Sequence, residues 1–214
     1  MFEAVFFDMD GVTIDSEPQW QRSETTLMER FGYIWSEEDQ AHCVGGPLTR
    51  VGEYMALKSG SQLNGSWFME QLISIQMEAM RDGAELLPGV SDFVQQCRDA
   101  HVPVALVSAS PRNIVDSVLS ALPKNFFDFS ISSDEVVRTK PDPLPYLTAA
   151  KRLGVQISAS LIIEDSKTGI QSAKSAGAYI LAIPHFFSLE STSRMKVVKT
   201  LEGISIAELY ANFK

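Results

Sequence analysis

Ala4-Val5-Phe6-Phe7 is an unbroken apolar run that stops on Asp8-Met9-Asp10, before Gly11 lets the chain turn away. Branched and aromatic residues in so short a run predict a buried strand. The pattern then changes period. Ser16-Glu17-Pro18 predicts a helix start, and Trp20, Leu27, Met28 and Phe31 form its apolar side before Gly32 ends it. Ser36-Glu37-Glu38 opens a short helix, and Pro47 to Leu57 suggests another. Ser66 is expected to cap a longer one, with Phe68, Leu72, Ile75 and Ala79 at helical spacing. No strand pattern interrupts this block before Gly83.

From Leu86-Leu87-Pro88-Gly89 onward, helix and strand patterns alternate. Val90, Phe93, Val94 and Cys97 mark a helix, and the strand Val102 to Val107 ends on Ser108. Pro111 starts a helix that buries Ile114, Val118 and Leu122. Phe126 to Ile131 reads as a strand, Leu144 to Leu153 as a helix closed by Gly154, and Leu161-Ile162-Ile163 as a strand stopping at Glu164-Asp165-Ser166. Ile170 to Ala176 is a small-residue helix, Tyr179 to Ile183 a fifth strand, and Ile206 to Phe213 a last helix.

Such alternation implies right-handed crossovers and a parallel sheet covered on both faces, an α/β, Rossmann-like, doubly wound core. The expected core is residues 1–15 and 83–214. Residues 16–82 then read as an inserted all-helical cap domain, with ordinary core helices as the plainer alternative. In such a sheet, ligands bind at the carboxyl ends of the strands. Asp8, Asp10, Ser108, Glu164 and Asp165 would share that rim, and the segment Arg138 to Pro143 can bring Lys140 to it. Asp8 and Asp10, two apart on an extended segment, face the same way. Acids held that close repel unless a cation bridges them or one is protonated. Taken singly, each is also a common turn or helix-cap residue.

Composition narrows the chemistry. The 214 residues are 45% hydrophobic, enough for a sizeable core, and the net charge of -9 argues against nucleic acid. Cys43 and Cys97 lack metal-ligand spacing, so neither a disulfide framework nor a zinc site is indicated. The apolar start is too short for a signal peptide, and no run approaches the roughly 18 residues needed to span a bilayer. A cytoplasmic protein without membrane partners, and a monomer, is expected. Clustered carboxylate oxygens suit Mg²⁺ and a phosphoryl group.

Asp8-Met9-Asp10-Gly11-Val12 with Asp15-Ser16-Glu17, then Ser108, then Lys140-Pro141, then Glu164-Asp165-Ser166 resembles the four ordered motifs of the haloacid dehalogenase superfamily. The likeness runs through nearly the whole chain, and is strongest to the branch with a helical cap after the first motif. That branch includes sugar-phosphate phosphatases and β-phosphoglucomutase. The resemblance implies that Asp8 is the nucleophile and Asp10 the general acid, then base. It also implies that Mg²⁺ is held by the Asp8 and Asp165 carboxylates and the Asp10 carbonyl, with Glu164 behind or alternating. Ser108, the adjoining Ala109 and Lys140 would meet the phosphoryl group. Arg50, near Gly45-Gly46-Pro47, and Arg112, in the loop after Ser108, are candidates for the rest of the substrate.

A phosphatase is expected, with a phosphomutase as the alternative. The resemblance places Trp20 where the mutase carries a cap histidine, and an indole cannot relay a proton. A phosphoacceptor signalling domain is a remote alternative, disfavoured by the helical insertion and the second acid. A dehalogenase is disfavoured by Asp10 and the metal acids.

Overall fold

The computed structural model describes residues 1–44, 47–81, 85–185 and 187–213, with the backbone alone for Arg81. The chain divides into two compact units: Met1–Asp15 with Glu85–Lys214, and Ser16–Ala84. The expected junction at 82 and 83, like Gly45 and Gly46, lies outside the described residues.

In chain order the elements are β1 (Val5–Phe7), α1 (Glu17–Glu29), α2 (Glu37–Cys43), α3 (Leu48–Ser59), α4 (Gly65–Arg81), α5 (Val90–Asp99) and β2 (Val104–Val107). There follow α6 (Arg112–Ala121), β3 (Phe129–Ile131), α7 (Leu144–Leu153), β4 (Leu161–Glu164), α8 (Lys167–Ala176), β5 (Tyr179–Ala182), β6 (Met195–Val197) and α9 (Ile206–Ala211).

The first unit is a six-stranded sheet in the order β3-β2-β1-β4-β5-β6, with every pair parallel. The chain builds outward from β1 on one side through β2 and β3, then crosses to the other side with β4. This reversal makes the crevice beside β1 and β4 the topological switch point, where ligands of open α/β sheets bind. Register matters here. Val5 pairs with both Val104 and Leu161, and Phe7 with Ile163, so the ends of the central strands are level and Asp8 stands across from Glu164. Phe6, Val107, Ile162, Tyr146 and Ile170 are among the buried residues on which the sheet and its helices pack.

Three elements differ from expectation. A sixth strand, Met195–Val197, lies at the sheet edge; only Met195 of its three residues is buried, so no alternation announces it. β3 covers Phe129–Ile131 alone, because the Phe126 amide turns back onto the Pro123 carbonyl at 3.1 Å. Helix α4 starts one residue before Ser66, and Asn64 Oδ1 caps it by accepting from the Trp67 amide at 2.9 Å. Gly65 opens this helix at a close approach: a Cβ there would lie 2.8 Å from the Glu53 backbone nitrogen.

The second unit contains only helices among its described residues. Leu27, Met28, Val51, Met55, Phe68 and Leu72 form its core, against which Trp20 packs. Within it Asp39 accepts hydrogen bonds from the Ser36 hydroxyl at 2.7 Å and from Tyr54 Oη at 2.7 Å, and pairs with Lys58 at 3.1 Å. Buried Glu24 accepts from Trp35 Nε1 at 3.2 Å. No helix among the described residues is long and apolar enough to cross a membrane.

Candidate active site

Three apolar strands deliver the site. β1 ends at Phe7 and hands on Asp8, β2 ends at Val107 and hands on Ser108, and β4 ends in Glu164 with Asp165 next. Their polar groups must stop where the sheet stops, because an unpaired carboxylate inside the sheet would forfeit its hydration. The Asp8 backbone is fixed on both sides. Its amide donates to the Ile163 carbonyl at 3.0 Å, and its carbonyl accepts from the Thr13 hydroxyl at 2.6 Å.

Lys140 ties the acids together. Its side chain is 3% exposed, and its ammonium donates to Asp8 Oδ1, to Glu164 Oε1 at 2.7 Å and to the Val107 carbonyl at 2.8 Å. Burial works against that charge, but the Asp8 and Glu164 carboxylates outweigh it and hold the lysine above its ordinary range. Glu164 is fully buried. Tyr146 Oη donates to its Oε1 at 2.7 Å, and the Ser166 hydroxyl to its Oε2 at 3.1 Å. Gly169, three residues further along, leaves the space this carboxylate fills: a Cβ would overlap the Glu164 carboxyl. Gly11, at φ +74°, similarly makes room for Asp165.

Each of Asp8, Glu164 and Asp165 offers a carboxylate oxygen within 4.8 Å of those of the other two. One ammonium does not neutralise three acids at that spacing. Burial first, then the Glu164 charge, push Asp8 up to about 7 against the pull of Lys140. Burial, then Asp8 and Glu164, raise Asp165 to about 9. Hard oxygen donors with an excess of negative charge are a fit for a divalent cation such as Mg²⁺, which takes one or two carboxylates and completes its shell with water and phosphate.

The second motif aspartate joins this rim through a residue absent from the expected set. Ser110 donates its hydroxyl to Asp10 Oδ2 at 3.3 Å, and its amide to Ser108 Oγ at 3.0 Å. Ala109, between the two serines, is exposed. Tyr146, Ser110, Ser166 and Thr13 thus support the acids although none was expected to. Ser166 lay inside a recognised motif, and Ser110 sat one residue before a helix-starting proline. Tyr146 lay unremarked inside the helix expected over Leu144 to Leu153.

Arg112 corrects an expectation: it is the first residue of α6, not a loop residue. Its guanidinium donates to the Ser130 hydroxyl at 2.7 Å and to Asp116 at 3.1 Å, and is ion-paired with Glu135. Three acceptors therefore hold the cation locally. Arg50, in α3 of the helical unit, donates to the His42 carbonyl at 2.8 Å. His185 is exposed and places Nε2 2.8 Å from the Gly11 carbonyl.

Comparison with known proteins follows the same lines. The chain is 30% identical over 184 residues to hexitol phosphatase B of Escherichia coli K12, covering 85% of this chain and 83% of that protein. It is 29% identical over 180 residues to a phosphorylated carbohydrates phosphatase of Thermotoga maritima, with 82% of each covered. In fold it is like β-phosphoglucomutase of Clostridium difficile, with a TM-score of 0.82 and 21% identity over 100% of this chain and 97% of that one. The family model described as haloacid dehalogenase-like hydrolase matches residues 5–183. That match runs from the start of the central strand to just past β5, taking in five of the six strands as well as the acids, and the chain belongs to the haloacid dehalogenase-like hydrolases.

Proposed function

We propose that the protein is a Mg²⁺-dependent phosphatase for a sugar-sized phosphate monoester, working through an aspartyl-phosphate on Asp8. The observation that carries this reading is the Asp8 carboxylate, held by the buried Lys140 beside Glu164 and Asp165 at the switch point of the sheet. The named activities of the Escherichia coli and Thermotoga maritima relatives support the substrate class.

Asp8 attacks phosphorus as the ester P–O bond breaks, and Asp10 gives its proton to the departing oxygen. Asp10, now a carboxylate, takes a proton from water, whose oxygen attacks the phosphorus and releases phosphate from Asp8. Two neighbouring acids can share such work only if one is ionised while the other is protonated. Lys140 keeps Asp8 anionic and offsets charge on the transferring group; the Ser108 hydroxyl and the Ala109 amide meet its oxygens. Asp8, Asp165 and the Asp10 carbonyl would hold Mg²⁺, with Glu164 behind, and the bound ion supplies neutralising charge for the phosphoryl oxygens. Glu164, whose oxygens already receive Lys140, Tyr146 and Ser166, serves mainly to fix Lys140.

The helical unit, residues 16–82, is proposed as a cap that excludes water and selects the substrate, with Trp20 and Arg50 among its contacts. Its support is connectivity: the chain leaves the sheet unit after Asp15, directly behind the first motif, and rejoins it at Glu85. A cytoplasmic monomer is the proposed setting. A phosphomutase is the second reading, favoured by the fold likeness alone. The test is product analysis on a panel of sugar and polyol phosphates with Mg²⁺, including β-glucose 1-phosphate with a trace of the bisphosphate. Inorganic phosphate as the main product is expected. Glucose 6-phosphate formed faster than phosphate would reverse the reading to a mutase.

A further inference from the structure

We propose that Ser110 is a positioning residue for Asp10, aiming its carboxyl at the oxygen that leaves with the substrate. The inference rests on the reading of Asp10 as general acid, and adds to it a residue from a different strand end. Ser110 is 8% exposed and its backbone is held at both ends. Its amide donates to Ser108 Oγ at 3.0 Å, its carbonyl accepts from the Ser133 amide at 3.0 Å, and Pro111 fixes the next turn as the cap of α6. From this fixed backbone its hydroxyl meets Asp10 Oδ2 at 3.3 Å.

A carboxyl turns about its Cβ–Cγ bond. With Oδ2 engaged by Ser110 that rotation is restrained, and it is this restraint that would direct the proton of Asp10 to the ester oxygen. In the first step the Asp8 oxygen forms its bond to phosphorus, the ester P–O bond breaks, and the proton of Asp10 passes to the departing oxygen. Negative charge appears on Asp10 as this happens. A hydrogen bond to an ionised acceptor is stronger than one to a neutral one, so the Ser110 hydroxyl binds the transition state better than the ground state. Its removal should therefore lower kcat/KM, which reports the step that breaks the ester bond, whereas kcat also contains the hydrolysis of the aspartyl-phosphate common to every ester. The loss should also depend on the leaving group: a basic phenolate needs the proton, whereas 4-nitrophenolate departs largely without it.

The experiment compares native enzyme, Ser110→Ala, Asp10→Asn and the double variant on phenyl phosphate and 4-nitrophenyl phosphate, each with Mg²⁺. Ser110→Ala is expected to lower kcat/KM on phenyl phosphate about tenfold, the scale of one hydrogen bond to a charged group. The loss on 4-nitrophenyl phosphate should stay within about threefold, and Ser110→Ala should add nothing further in the Asp10→Asn background. An equal loss on both esters, or a further loss in that background, would mean that Ser110 acts otherwise, and would overturn the proposal. Native enzyme that hydrolyses neither ester would overturn the phosphatase reading, and this proposal with it.

Discussion

Each unit buries acids, and the two treat them in opposite ways. In the helical unit Asp39 is nearly inaccessible, yet it is saturated with donors. Burial opposes its charge, but the Ser36 hydroxyl and amide, Tyr54 and Lys58 more than offset this and hold the carboxyl below its usual range. At the sheet rim Asp8 and Asp165 face the reverse: burial and neighbouring acids raise both, and Lys140 compensates only in part. Asp39 is a finished structural network. The rim holds charge that its own residues leave unbalanced, which is the condition in which a cation and a phosphoryl group find something to stabilise.

Removing Lys140, which pairs with the acids of the rim, should break this contrast most severely. Lys140→Met leaves Asp8 and Glu164 buried without their partner, at a cost to stability of about 3–5 kcal/mol, with phosphatase activity lost as well. Urea unfolding with Mg²⁺ absent would measure the first, and turnover of an aryl phosphate the second. Asp39→Ala should cost about 2–3 kcal/mol of stability through its abandoned donors and the lost capping box, as thermal unfolding would record. Gly169→Ala drives a Cβ into the Glu164 carboxyl and should cost about 1–3 kcal/mol, read by the same thermal unfolding. It should lower activity too, by shifting the group that holds Lys140.

The smallest effect separates the two acids of the helical unit. Burial pushes Glu24 up to about 8 from an ordinary 4.5, against the hydrogen bonds it receives from Trp35 and Gln40. The folded chain therefore keeps a proton that the unfolded chain releases. Its contribution to stability is full below about 4.5 and declines as pH rises toward about 8. The Tm of native protein should fall across that window. Glu24→Gln should remove the part of the slope that Glu24 contributes, while Asp39 variants leave it in place.

These contrasts also mark how far the sequence alone could reach. Asp8, Glu164 and Asp165 were legible because each ends an apolar run, where charge has no structural reason to be. Lys140 was legible as a residue that the Arg138 to Pro143 segment can bring to the rim, but nothing local says that a loop lysine turns inward to 3% exposure. Tyr146 and Ser110 were not legible: an aromatic in a helix and a serine before a proline look alike whether or not their hydroxyls reach an acid. The Asp39 cluster adds Tyr54 and Lys58 of α3 to the local capping box that Asp39 makes with Ser36, and only tertiary packing brings those two to it. The edge strand β6 escaped because only Met195 of its three residues is buried, which leaves no alternation to read.

The central claim is that the unbalanced rim exists for phosphoryl transfer to Asp8. It is tested most directly by hydrolysis of 4-nitrophenyl phosphate with Mg²⁺, with a chelator, and with folded Asp8→Asn protein in Mg²⁺. Turnover is expected only from native enzyme with the metal, and a fall of at least about a thousandfold in the other two. Activity undiminished by the chelator or by Asp8→Asn would contradict the account.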